Sequence, residues 1–411
     1  MAKRSLILFD DHAWAGMLPL TWLRPVCHLR IGALTLAERW ERMLDGVATP
    51  LTQDYLAEEY PLEVSYDNLF INASLLPTRE LVTAILDLHR GEALTQDDEL
   101  LAARLDRETL DRLAADGELD ELPGYEYEGP ARLLRRPYDL FRLNAECIAG
   151  DFALLTAGRA SAPLSDTNTV IGTHPVFLEE GARVEAAVIN TEDGPVYLGR
   201  DAKVMEGCLL RGPLALNAGA VLKMGAKVYG GTTVGPGCKV GGEVSNVVFQ
   251  GYANKGHDGF VGNAVIGHWC NLGADTNASN MKNNYADVRL WDYTEERFVD
   301  TGLQFCGLVM GDHAKCGINT MFNTGTVVGV GANVFGGGFP RNFVPDFSWG
   351  GASGQVTYRL DKMLETAERA MARRGRTLSP AARHSLGACF DLTAKHRSWE
   401  RRRAAPTEEA T

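Results

Sequence analysis

A chain of 411 residues is too long for one ordinary hydrophobic core, so two or three units are expected. Its 45% hydrophobic and 23% charged content describe a soluble globular protein, and a net charge of −12 argues against nucleic acid and anionic membrane as partners. Any anionic small ligand must therefore be met by a local concentration of basic residues.

The apolar run at residues 6–9 stops at Asp10 and Asp11, short of the roughly 7–15 residues of a secretory signal, and no stretch approaches a membrane span. Cys27, Cys147, Cys208, Cys238, Cys270, Cys306, Cys316 and Cys389 stand singly with no CxxC, which points to reduced structural thiols in a cytoplasmic protein. Residues 1–160 read as an α/β domain. A short strand at 6–9 leads into a loop at 12–21, and a helix follows with Leu34, Leu36, Ala37, Trp40 and Leu44 on its apolar face. A second strand is expected at 68–72 and a second helix at 80–89. This alternation suggests a parallel sheet with its ligand at the carboxyl ends of the strands, on a rim holding Asp10, the 12–30 loop and residues 72–77. Residues 97–120 read as a charged helix, 125–136 as extended, and 140–155 as a linking helix around Asn144.

From Leu198 every sixth residue is aliphatic: Val204, Leu210, Leu216, Leu222, Val228, Val234 and Val240. Two places before these stand mostly small residues, among them Ala202, Cys208, Ala220, Ala226 and Cys238. A strict period of six matches neither a helix nor a simple strand. It marks a parallel β-helix, whose three-sided coils point one aliphatic residue per side inward. Each buried aliphatic contributes roughly 1.5–3 kcal/mol before chain entropy, so a stack is stable where one coil is not. The array is expected over 161–351, continuing through Phe260, Ile266 and Leu272 and then Met310, Cys316, Phe322, Val328 and Val334. It breaks between 280 and 307, where function is usually placed. A loop at 336–351 closes it, amphipathic helices at 352–403 form a cap over the last open edge, and 404–411 is a disordered tail.

The residues richest in chemistry are Asn254, Lys255, Gly256, His257 and Asp258, followed by Asn271, Gly273, Ala274, Asn280, Lys282, Asn284 and Tyr285. A histidine on the outer wall, with a free-solution pKa of about 6.5, suits proton removal at neutral pH. Lysines and backbone amides beside it suit a phosphate. A solvated turn with a surface histidine is the plain alternative.

The segments Lys255-Gly-His257, Val265-Ile-Gly-His-Trp-Cys-Asn-Leu-Gly-Ala274 and Asn280-Met-Lys282 resemble the acetyltransferase half of the bifunctional N-acetylglucosamine-1-phosphate uridylyltransferase/glucosamine-1-phosphate N-acetyltransferase family (GlmU-type). The likeness extends to Gly311-Asp-His-Ala-Lys-Cys-Gly-Ile-Asn319, and the whole chain is most similar to the alternative bacterial form. It implies a left-handed β-helix, a homotrimer and acetyl-CoA as co-substrate. His257 would be the general base, and Asn271 and Asn280 ligands of the amino sugar. Gly273, Ala274 and Lys315 would lie toward acetyl-CoA. Phe260 stands where the family often has tyrosine, with Tyr285 a candidate to supply the hydroxyl. Ser245 and Asn246 replace a basic pair, leaving Lys255, Lys282 or Arg289 for the sugar phosphate.

At the N-terminus, Gly16-Met-Leu-Pro-Leu-Thr21-Trp-Leu-Arg24-Pro25 resembles the opening of sugar-1-phosphate nucleotidyltransferases, G-x-G-T-R-[LM]-x-P-L-T-x-x-x-P-K. The glycine-arginine part is altered, and Val26 stands where lysine is expected. Thr21, Arg24, Arg30 and Asn72 are the candidates for nucleotide phosphate, the arginines equally readable as ion-pair partners. Asn72 and Ser74 occupy the place of the family's metal-holding aspartate. Asp10, Asp11 and Asn144 remain candidates for Mg²⁺, with a structural role for Asn144 equally open. The implied product is an NDP-sugar made from a nucleoside triphosphate, UTP by resemblance. A domain that binds a nucleotide sugar without making one, and a trimeric scaffold without catalysis, are the alternatives.

Overall fold

The computed structural model describes residues 3–116 and 122–400. The tail at 404–411 lies outside them. The chain divides into two compact units: Met1–Met17, Arg24–Leu29 and Leu34–Arg136 form one, Leu18–Leu23, Arg30–Ala33 and Pro137–Thr411 the other.

The first unit holds a six-stranded sheet in the order Gly46–Leu51, Arg4–Phe9, Asp67–Asn72, Glu99–Asp106, Glu92–Gln96, Gly124–Glu126. The first three strands are parallel, as expected of strands alternating with helices. The next is antiparallel to both its neighbours, so the sheet is mixed rather than wholly parallel. The cause is local. Asp97 and Asp98 both take positive φ, 50° and 64°, and make the two-residue turn of a hairpin. A third of the stretch expected to be a charged helix is therefore the strand Glu99–Asp106, with Leu101, Ala102, Ala103 and Leu105 buried, and the helix begins only at Arg107. The helix Leu36–Leu44 starts at a capping box, Thr35 accepting from the Glu38 amide and the Glu38 carboxylate from the Thr35 amide. It buries Trp40, whose Nε1 donates to the Leu75 carbonyl at 3.1 Å.

The second unit is a parallel β-helix preceded by the helices Pro137–Arg142 and Asn144–Thr156. Short strands of two or three residues stack in register from coil to coil, Val184 on Val204, Leu222 and Val240 along one face and Leu178 on Leu198, Leu216 and Val234 along another. The eight aliphatic residues from Leu198 to Val240 that keep the six-residue period are all buried at 3% exposure or less.

After Val240 the period slips. Leu222 pairs with Val240, eighteen residues on, but Val240 pairs with Lys255, only fifteen on. Two faces fuse into the single strand Glu243–Phe249, and the next coil repeats this as Phe260–Ile266. The inward residues of these coils include Val244, Phe249, Val261 and, as expected, Ile266. Phe260, expected inward, is one residue out of phase and only half-buried.

The excursion leaves the array at Asn280 and returns at Cys306, whose amide donates to the Asn280 carbonyl at 2.9 Å. Between them lies the antiparallel hairpin of Arg289–Asp292 and Arg297–Asp300. Where a closing loop was expected, Phe343–Val344 and Ser348–Gly351 add one more set of rungs, and Gly354–Thr357 pairs antiparallel with the last of them. That strand covers this edge. The helix Leu360–Ala372 instead follows the wall of the prism, since Arg374 just beyond it donates to the Gly237 carbonyl and Arg376 to the Tyr252 hydroxyl. No described helix is long and apolar enough to cross a membrane.

Candidate functional site

His257 is exposed at a corner of the prism. Directly along that corner, the Asp275 amide donates to the Asp258 carbonyl and the Asn319 amide to the Ala274 carbonyl, so the turns holding His257, Gly273–Ala274 and Ile318 are successive rungs. Their spacing is about 4.8 Å per coil. Gly273 is required there, because a Cβ would lie 2.4 Å from the Gly317 backbone. Its amide is spent on the Cys316 carbonyl at 3.1 Å. For the Ala274 amide no acceptor is found among the described residues, and it is the one backbone donor of the pair free to meet a ligand oxygen.

The face leading into this corner carries an outward ladder of Asn254, Asn271, Lys315 and Asn333. Asn271 is exposed and accepts from Asn254 at 3.0 Å. The Lys315 ammonium donates to the His313 carbonyl at 2.9 Å, and burial lowers its pKa. His257, Asn271, Gly273, Ala274 and Lys315 are thus brought onto neighbouring rungs.

Lys255 is not on the outer wall. It is 1% exposed and fills an inward rung that an aliphatic residue occupies elsewhere, with its ammonium donating to the carbonyls of Gly241 at 3.0 Å and His257 at 2.7 Å. Burial pushes its pKa down to about 8, against the opposing pull of Asp258 and Asp275. It holds the turn that presents the imidazole and does not reach a ligand outside. Sequence reasoning missed this because the phase slip hides which residue of Asn254–Lys255 faces in.

Asn280, Lys282, Tyr285 and Arg289 lie on the excursion. Asn280 donates to Asn263 at 2.8 Å, Tyr285 is 66% exposed, and Lys282 and Arg289 donate to the carbonyls of Asp287 and Phe298.

In the first unit the strand ends gather Asp10, Asp11, His12, Asn72, Glu99 and Arg135. Asp10 accepts from the Thr52 hydroxyl at 2.6 Å and the Val26 amide at 2.9 Å, and burial raises its pKa to about 7. For Asp11, burial pushes upward, but hydrogen bonds from Asn72, Arg135 and the Ala13 amide outweigh it and hold the carboxyl below its ordinary value. Arg135 spans the carboxylates of Asp11 and Glu99, and a Cβ on Gly16 would meet the Arg135 carbonyl at 2.4 Å. Glu99 and Arg135 carry no motif and were not found from sequence. Arg24 is buried near His28, whose imidazole burial and then the Arg24 charge push to about 4.

The other N-terminal candidates belong to the second unit. Thr21 is fully buried. Arg30 donates to the Ala33 carbonyl and, at 3.4 Å, to Asn217, while its backbone pairs with both ends of the Gln250 amide. The Asn144 amide accepts from the Gly32 amide at 2.7 Å and donates to the Gly231 carbonyl at 2.6 Å and the Thr233 hydroxyl at 3.0 Å. Arg30 and Asn144 are therefore structural ties, not a phosphate clamp and a metal ligand. The set Asp10, Asp11 and Asn144 does not fit Mg²⁺: Asn144 is spent elsewhere, and Asp10 is closed over by Thr52 and Val26. Asp11, His12 and Glu99 place ligand atoms within 4.8 Å of one another, but the Arg135 guanidinium already lies across the two carboxylates.

Residues 6–160 match the family model described as sugar nucleotidyl transferase. The uncharacterized acetyltransferase YaiX of Escherichia coli, in strain K12 and in strain 536, is 24% identical over 146 residues, 35% of this chain. The chain spans 63% of the length of these curated relatives. Among solved structures it is similar to the polySia specific acetyltransferase NeuO, at 14% identity over 51% of this chain and 99% of that one, TM-score 0.30. It is also similar to an Arabidopsis UDP-N-acetylglucosamine acyltransferase, at 15% identity over 61% and 99%, TM-score 0.25.

Proposed function

We propose that the β-helix unit N-acetylates an amino-sugar 1-phosphate, glucosamine 1-phosphate in the first instance, with acetyl-CoA. The observation that carries this is an exposed imidazole on the same corner as an unpaired backbone amide, one rung apart. His257 takes the proton as the sugar amine attacks the thioester carbonyl. The negative charge on the carbonyl oxygen is received by the Ala274 amide, and the thiolate of coenzyme A leaves as the tetrahedral adduct collapses. Asn271 and Asn280 hold the sugar, Tyr285 offers the hydroxyl that Phe260 lacks, and Lys315 stands on the donor side. A homotrimer would bring such corners together between copies.

For the first unit, the match to sugar nucleotidyl transferases supports joining the acetylated product to UTP with release of pyrophosphate. The guanidinium across Asp11 and Glu99 favours a second reading, a unit that binds a nucleotide sugar without forming one. Incubation of the full chain with glucosamine 1-phosphate, acetyl-CoA, UTP and Mg²⁺ separates the readings, following free thiol and pyrophosphate independently. Thiol and pyrophosphate together indicate both activities, thiol alone the second reading. His257→Ala is expected to lower thiol release by about 10²-fold or more without altering assembly. An unchanged rate removes the imidazole from the reaction.

A further inference from the structure

The hairpin of the excursion, with Lys282 ahead of it, builds one wall of a cleft of about 540 Å³, the rest coming from Thr324 and residues 341–343. In the hairpin register Trp291 stands opposite Phe298, and Arg289 lies two residues earlier on the same face. Three cations, Lys282, Arg289 and Arg341, and three rings, Trp291, Phe298 and Phe343, line the cleft; among the described residues no carboxylate does. In a chain of net charge −12 that is a local inversion.

Among the described residues the only ion pair these cations make is an exposed one. Lys282 and Arg289 are anchored by backbone carbonyls, which fix a cation but leave its charge in place. The paired carboxylate, Asp300 at 3.4 Å from Arg289, is 77% exposed and screened by water. Arg341 is exposed and makes no hydrogen bond or ion pair with the described residues. Trp291 and Phe343 stack at 4.1 Å with Phe298 edge-on to Trp291, and the buried Nε1 of Trp291 has no acceptor among the described residues. A second cleft of about 620 Å³ shares Trp291, Arg341 and Phe343 with the first, so a ligand longer than one ring can be accommodated.

A sugar phosphate would leave the rings uncovered, and a bare acyl chain would leave three cations unmatched. We propose that this cleft binds a phosphorylated nucleoside, with its phosphates on Lys282, Arg289 and Arg341 and its base against the ring cluster. The volume lies within the range of small-molecule sites. Lys282 and Arg289 then serve a nucleotide and not the amino sugar. Two sources share this chemistry, the nucleotide end of coenzyme A and a nucleotide sugar.

The test is direct binding to the full chain by calorimetry, with coenzyme A and UDP-N-acetylglucosamine as separate probes, to the wild type, Arg341→Ala and Arg341→Lys. Among the described residues Arg341 has no hydrogen-bond or ion-pair partner, and a thermal melt confirms that the variants fold. One probe is expected to bind Arg341→Ala at least about 10-fold more weakly, the loss of one charge-assisted contact, and to recover most of its affinity with lysine. Loss with coenzyme A assigns the cleft to the acyl donor, and loss with UDP-N-acetylglucosamine to the nucleotide sugar. Equal affinity of both probes for wild type and Arg341→Ala overturns the proposal, as does failure of both to bind the wild type. Because binding is read without turnover, a negative result at His257 leaves this outcome independent.

Discussion

The ammonium of Lys255 donates to the carbonyl oxygen of His257 from inside the prism, across 2.7 Å. An inward charge thus supports an outward imidazole two residues away. With its pKa pushed below the unfolded value of 10.5 to about 8, the lysine is more readily deprotonated in the folded state. Stability therefore rises with pH between about 8 and 10.5. Lys255→Met is expected to abolish that rise, measured by denaturant unfolding at pH 8, 9 and 10. A parallel rise in the variant would mean that another group titrates.

Two glycines differ in the room a Cβ would find, one between coils and one in a helix. Gly273→Ala places a Cβ 2.4 Å from the Gly317 backbone, and neither strand can yield without breaking its ladder. A loss of about 1–3 kcal/mol or more is expected. Gly387, inside the helix Pro380–Leu392, has open space where its Cβ would be, and Gly387→Ala is expected to gain about 0.5–1 kcal/mol. Thermal melts of the two variants should move in opposite directions.

Asp10 titrates in the opposite sense from Lys255. Burial raises its pKa from 3.8 to about 7, so the folded state holds the proton more tightly. Its contribution to stability is full below 3.8 and is lost as pH rises through 7. Asp10→Asn keeps a neutral acceptor at that place and should flatten the stability curve of the first unit between pH 4 and 7, by on the order of 2 kcal/mol at the upper end. Unfolding followed by tryptophan emission across that range checks it. An unchanged slope would show that Asp10 is not the group titrating.

Asn144 connects three backbone or hydroxyl partners in a site with no access to water. Asn144→Ala strands the Gly32 amide and the Gly231 carbonyl and is expected to cost about 2–5 kcal/mol in unfolding free energy. A metal-ligand role would predict instead a variant of normal stability with altered Mg²⁺ dependence.

The solenoid was legible because burial there obeys a period: Leu198 to Val240 are inward every sixth residue, as read. The reading failed where the period shortens. Lys255 and Val261 face in by virtue of fused strands, and no local property of either residue reports a slip that began several residues earlier. The hairpin turn at Asp97 and Asp98 was hidden for a different reason, since two carboxylates in a charged run read as helix surface until their positive φ is known. On the first unit's rim, Asp10, Asp11 and Asn72 could be anticipated because they follow apolar strands. Glu99 and Arg135 could not, being far apart in the chain and brought together only by the fold. Arg341 likewise joins the hairpin cations through folding alone.

The excursion between Asn280 and Cys306 begins and ends at one hydrogen bond, while Ile266 and Met310 pair as adjacent rungs as though nothing intervened. The register of the ladder is therefore set without the hairpin, yet the hairpin is clipped to later rungs, Tyr293 donating to the buried Asp346 at 2.9 Å and Trp291 stacking on Phe343. Such an insertion divides its labour: Tyr293 works as the anchor, while a position such as Arg289, which touches the prism's wall less deeply, is where ligand preference can be rewritten without disturbing the ladder's register.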